Sequence, residues 1–201
     1  ISSLTIILTT KASPPITAFF NDLAGFNAAA GSPPIVIDFD DVTPNTDITG
    51  LTIHGVTFQL GNQPAPSASL IVVKGSDTYS SPGFDWYAPD NRLFATSGEN
   101  NLSPGGVELA PGPDPLKEND DLAMTLSTQV SAIGFDILYQ LLDGASYTSI
   151  TLLDATDNVL YSNSYIPIPL DSPTGGTTFV GFVSDSPNIA KIIIDEYDDN
   201  N

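Results

Sequence analysis

Acidic residues dominate the reactive side chains of this sequence. Twenty-four Asp and Glu stand against five Lys and Arg and one His in 201 residues, a formal net charge of −19. The carboxylates are clustered. Asp38, Asp40 and Asp41 follow one another in IVIDFDDV. Glu118, Asp120 and Asp121 form a second group, and Asp195, Glu196, Asp198 and Asp199 a third. Calcium takes six to eight oxygens at about 2.3–2.6 Å, and groups of carboxylates are its usual ligands. Convergence of Asp38, Asp40 and Asp41 with Asp195 and Glu196 would make such a site, provided the segments meet at the start and end of one sheet structure. None of the groups has the spacing of an EF-hand loop. The alternative is that these are solvated strand ends. Paired carboxylates about 5–9 Å apart could also cleave a glycosidic bond. With so many acids, spacing alone singles out no pair, so a hydrolase or lyase is the secondary expectation and the primary one is non-catalytic.

A second constellation is aromatic. Tyr79, Phe84, Trp86 and Tyr87 lie in a Pro- and Gly-bounded stretch with Asp85, Asp90 and Arg92. Flat sugar faces stack on such rings while carboxylates and Arg bind hydroxyls, so this is a candidate carbohydrate platform. The same residues could instead fold back as a small satellite core. His54 is the one residue on which a Ser-His-Asp arrangement would depend. No G-x-S-x-G motif accompanies it. It is expected as a half-exposed strand residue beside Thr52. Asn101-Leu102-Ser103 is a glycosylation sequon followed by Pro104.

Composition excludes several classes. Phosphate neutralisation needs Lys and Arg, so nucleic acid is not an expected partner. The absence of Cys, with one His, removes the common zinc, haem and iron–sulfur ligand sets and any disulfide framework. No run approaches the ~20 apolar residues that span a bilayer. No phosphate-binding glycine loop is present.

The elements that must position these residues are mostly strands. Residues 17–30, TAFFNDLAGFNAAA, carry Phe19, Phe20, Leu23, Phe26 and Ala30 at three- and four-residue spacing and predict a helix, begun by Thr17 and ended by Gly31. Residues 1–16 are expected to be a leader remnant or an edge strand, and residues 17–201 one domain. Ile35, Ile37 and Phe39 alternate with polar neighbours and predict a first short strand, with Asp38 and Asp40 on one side of it. Residues 41–50 read as a turn. Leu51–Ile53 and Val56–Leu60 read as strands broken at Gly55 by a bulge or kink. LIVV at 70–73 is a buried strand, and residues 74–120 are irregular apart from short strands at 93–96 and 107–109. From Asp121 onward period-two alternation recurs: Leu122, Met124 and Leu126, then Ile133, Phe135 and Ile137, then YTSITLLDA, VLYSNSYI, TTFVGFVSD and IAKIIID. Strands spaced in this way with Asn, Asp and Gly turns predict an antiparallel two-sheet sandwich.

The runs VSAIGFDIL, ITLLDATDNVLYSNS and FVGFVSDSPNIAKIIIDEY resemble a broad group of secreted bacterial jelly-roll, galactose-binding-like domains. Many of these belong to exported proteins with a cell-surface sorting tail of the PEP-CTERM type. The resemblance spans roughly residues 18–197 and rests mainly on core and turn positions. It departs from the group's pattern at Asn158, where Gly is frequent, and no sorting tail is present in the sequence. The resemblance implies an all-β jelly-roll sandwich with one short N-terminal helix. It also implies a secreted or cell-surface setting, binding of carbohydrate or another extracellular polymer, and calcium as a stabilising ion. A purely structural surface protein is the remaining alternative.

Overall fold

The computed structural model describes residues 15–61, 69–74, 100–103, 122–139, 147–167 and 176–197. Their architecture is all-β: two antiparallel sheets packed as a sandwich, with one short helix among the described residues. A three-stranded sheet has the order β1 (Ile16–Phe20), β10 (Gly176–Ser184), β7 (Ala132–Tyr139). A six-stranded sheet runs β2 (Thr52–Ile53), β3 (Val56–Leu60), β6 (Leu122–Val130), β11 (Ile189–Tyr197), β8 (Tyr147–Leu153), β9 (Val159–Pro167). A separate two-stranded ribbon joins β4 (Ile71–Lys74) to β5 (Asn100–Ser103).

Period-two alternation does the work that the sequence assigns to it. On β10, Val180 and Phe182 are fully buried; on β8, Ile150 and Leu152; on β11, Ile192. Ile133, Phe135 and Ile137 on β7 pack against the same cluster from the facing sheet. Burying a side chain of this size contributes about 1.5–3 kcal/mol relative to exposure. The residues between them face outward. Thr57, Thr125 and Lys191 lie in one cross-strand row of the six-stranded sheet, and Thr151 meets Ser162 in the next.

Two predicted elements are corrected. The helix does not begin at Thr17. Residues 16–20 are a strand paired with β10, and the helix α1 spans only Leu23–Ala30. Between them Asn21 takes a left-handed conformation (φ 54°), which no continuing helix can accommodate. Asp22 then caps α1, its Oδ1 accepting from Gly25 N at 2.8 Å. Gly31 ends the helix at φ 69°, as its sequence position implies. Phe19 and Phe26 do meet, edge to face with centroids 6.1 Å apart, but across a strand–helix junction.

Residues 35–40 are not a strand either. Ile35 is 83% exposed and Val36 59%. Phe39 has φ 59° and Asp38 Oδ1 accepts from Asp40 N, a local Asx bond that turns the chain. Ile37 and Phe39 still reach the core, with Phe39 edge-on to Phe58 at 5.4 Å. The predicted strands at 93–96 and 107–109 lie outside the described residues.

Candidate functional site

The acidic turn that follows Ile37 is the site the sequence singles out most clearly. It is held by the β4–β5 ribbon. Asn45 N donates to Val72 O at 2.7 Å, Val72 N to Thr46 O at 3.0 Å, and Ile48 N to Leu70 O at 2.8 Å. Ile48, Leu70 and Val72 are all fully buried, so this lacing sits on the core. Asp47 Oδ1 accepts from Thr49 N and Thr49 Oγ1, and Thr49 Oγ1 accepts from Leu70 N. The Thr49 hydroxyl and amide hold the Asp47 carboxyl below the usual carboxylate value.

The turn's central clamp is Asn100, on β5 and 7% exposed. Its Nδ2 donates to Phe39 O at 2.9 Å and to Val42 O at 3.1 Å. Its backbone N donates to Asp40 Oδ1 at 3.1 Å. One side chain therefore satisfies two carbonyls of a turn 58 or more residues earlier in the chain. Sequence reasoning missed this residue. The stretch NNLS has no strand-like pattern, and the one local signal, a pair of adjacent Asn, is common in loops.

Asp41 points elsewhere, its Oδ2 3.3 Å from His54 Nε2, with both side chains about half exposed or more. His54 is a turn residue, not the strand residue expected. Thr52 pairs with Thr57 and Ile53 with Val56, leaving His54 and Gly55 as a two-residue hairpin loop. Both have positive φ, 47° and 84°, as a type I′ turn requires. The bulge or kink expected at Gly55 is thus a tight turn, with Ser127 N donating to Gly55 O at 2.8 Å.

Asp195 and Glu196 belong to β11, in register with Ser149 and Thr148 of β8. Among the described residues, no three His, Asp or Glu side chains form a group that could hold a metal ion. Asp38 and Asp40 are not on one side of a strand; each accepts a backbone N–H. The candidate platform of Tyr79, Phe84, Trp86, Tyr87 and Arg92 lies outside the described residues, as does the group Glu118, Asp120 and Asp121.

A further acidic turn joins β8 to β9. Asp154 Oδ1 accepts from Thr156 N, Thr156 Oγ1 and Asn158 N at 2.8–2.9 Å, and Oδ2 accepts from Asn158 Nδ2 at 2.9 Å. The Asn158 side chain first, then its backbone N–H and the Thr156 hydroxyl, hold this carboxyl far below the ordinary range. With donors on both oxygens, Asp154 serves the turn. Asp157 beside it has φ 62° and pairs with Lys191 Nζ at 2.5 Å. Comparison of the chain with protein-family models, curated proteins and solved structures finds no match.

Proposed function

We propose that this chain is a non-catalytic, secreted or cell-surface β-sandwich module that binds carbohydrate or another extracellular polymer. One observation carries the non-catalytic part. Asp22, Asp38, Asp40, Asp47 and Asp154 each accept at least one backbone N–H within their own turn or from a neighbouring strand. Carboxylates bound in this way are held in place by the backbone. A general acid needs a position free to meet substrate. These five acids support turns between the elements of a sandwich, which is the construction of a binding scaffold.

The polymer-binding part draws on the aromatic stretch Tyr79–Tyr87 with Arg92, and the extracellular setting on the jelly-roll resemblance. Among the described residues no group of three acids is gathered for calcium, so the ion enters this reading only through the jelly-roll resemblance. The test is retention of the purified chain on a panel of insoluble and immobilised polysaccharides, with reducing-end release measured in parallel. Retention that Trp86→Ala weakens, without release of sugar ends, is the expected result. Release of new ends would establish the hydrolase instead, and no retention on any polymer would leave a structural surface protein.

A further inference from the structure

β1 and α1 form an arm seated on a part of the chain far from it in sequence. Among the described residues, every hydrogen bond the arm makes beyond itself goes to β10. Ile16 to Phe20 pair with Ser184 to Val180. Asn21 N donates to Phe179 O at 2.9 Å, and Phe179 N to Asn21 Oδ1 at 3.2 Å. Phe26 lies in the gap over Gly181 and Gly134, where a Cβ on either glycine would meet its ring. What joins the arm to the rest is loosely held. Residues 31–36 are all exposed. Residues 32–37 make no hydrogen bond with any described residue. Pro33 and Pro34 fix φ at about −65° and favour an extended linker, one that reaches about 20 Å. Within it Ile35 and Val36 are both left to water, Ile35 more so than any other large apolar residue described.

We propose that the β1–α1 arm is exchanged between two copies of this protein, each arm taking the place of the other's on β10. The seat specifies its occupant. The gap over Gly134 and Gly181 accepts a ring at one spacing from a strand paired to β10, and the arm of a second copy carries that ring, Phe26, at that spacing. Exchange therefore re-forms the contacts of the arm and leaves the entropy of association to be offset. The linker supplies the offset. The two linkers cross near the two-fold axis, where Ile35 and Val36 of one copy cover those of the other and leave water. These exposed aliphatics lie in the one described segment whose surroundings change on exchange. The proposal goes beyond the polymer-binding reading and does not depend on it.

The chain has no Cys, so a disulfide introduced by design is the only one that can form. Thr17→Cys with Val183→Cys sets two thiols opposite each other on β1 and β10, at a Cα separation that a disulfide spans. In a closed single copy, oxidation joins a chain to itself. After exchange it joins two chains, which run as a covalent dimer on a denaturing, non-reducing gel. The full chain is incubated over a range of protein concentrations in urea below its unfolding transition, returned to buffer and oxidised. The two-chain product should dominate at high concentration and give way to the one-chain product on dilution. Sedimentation equilibrium of the chain without the cysteines should give a dimer whose dissociation constant rises about tenfold or more when Ile35→Asp and Val36→Asp are combined. Leu51→Asp, at an exposed apolar residue outside the linker, should leave that constant unaltered. One-chain product alone at every concentration overturns the proposal, whether or not sedimentation finds a dimer. So does a dimer unmoved by the linker variant, or one lost with Leu51→Asp.

Discussion

Gly181→Ala is the most direct probe of how α1 is seated. Gly181 of β10 and Gly134 of β7 lie opposite each other in register, and their outward sides form a flat gap in the three-stranded sheet. Phe26 fills it, 6% exposed. A Cβ at position 181 would fall 2.5 Å from Phe26 Cδ2, 2.9 Å from Phe26 Cγ and 3.0 Å from Phe179 Cε1. The ring cannot stay where it is. Two responses are open. The ring shifts within its aromatic nest, where Phe19 stands 6.1 Å and Phe179 5.3 Å away, at an overpacking cost of about 1–3 kcal/mol. Otherwise α1 lifts from the sheet and forfeits the burial of Phe26, also about 1.5–3 kcal/mol. The cheaper response sets the cost. Alanine returns about 0.4–1 kcal/mol by restricting the unfolded chain. At mid-range, a cost of about 2 kcal/mol less a return of about 0.7 leaves a net destabilisation of about 1.3 kcal/mol. At about 2–4 °C per kcal/mol for a domain of this size, that lowers the melting temperature by roughly 3–5 °C. Urea unfolding at 25 °C gives the free energy directly. The decisive comparison is the double variant. Phe26→Ala vacates the gap, so adding Gly181→Ala to it should cost nothing, a departure from additivity of about 1 kcal/mol or more. If Gly181→Ala is as stable as the parent, or if the two changes add, Phe26 does not lie over Gly181 and the seating of α1 is wrong.

Four further outcomes follow from the turns. Asn100→Leu removes the side-chain donor of Val42 O and leaves Phe39 O with the Val42 N–H alone, and urea unfolding should register a loss of about 1–3 kcal/mol; a loss under about 0.5 kcal/mol would show that the clamp contributes little. His54→Asn should leave stability unchanged, because Asn tolerates left-handed geometry, whereas the β-branched His54→Val should cost about 1–2 kcal/mol. Asp154 has its pKa depressed in the folded chain, so its stabilisation is present above the unfolded value near 3.8 and is lost as pH falls through the lower folded value. The stability gap between the parent and Asp154→Asn should accordingly be constant from neutral pH down to about 5 and close in stronger acid, and a gap that widens on acidification would reverse the sign. Chelation should leave the melting temperature within about 1 °C, since a ligand that binds only the folded chain must stabilise it; a fall of several degrees would return calcium to the acidic turns.

The sheets were legible in the sequence where a strand has one face on the core. On β7, β8, β10 and β11 apolar residues such as Ile133, Phe135, Ile137, Ile150, Leu152 and Ile192 recur at every second position because one face of each strand lies on the core. The same rule failed at Ile35–Asp40, where the alternation is just as regular. There it reports two anchors, Ile37 and Phe39, dropped from an irregular segment onto the core, while Ile35 faces solvent. Period-two spacing detects which side chains are buried, not whether the backbone between them is paired. The N-terminal misreading has the complementary cause. Phe19 and Phe26 bury against each other, so their spacing looks helical over a span in which the first four residues are a strand. The signal that divides them is local and small. Asn21 tolerates the left-handed turn, and Asp22 followed three residues later by Gly25 supplies a cap whose carboxylate occupies the space a side chain at 25 would need, its Oδ2 only 2.2 Å from where a Cβ would stand. The candidate site was legible only as composition. Its acids are visible in the sequence, but what they do is decided by Asn100, some 60 residues away, and by N–H groups that carry no sequence signature at all.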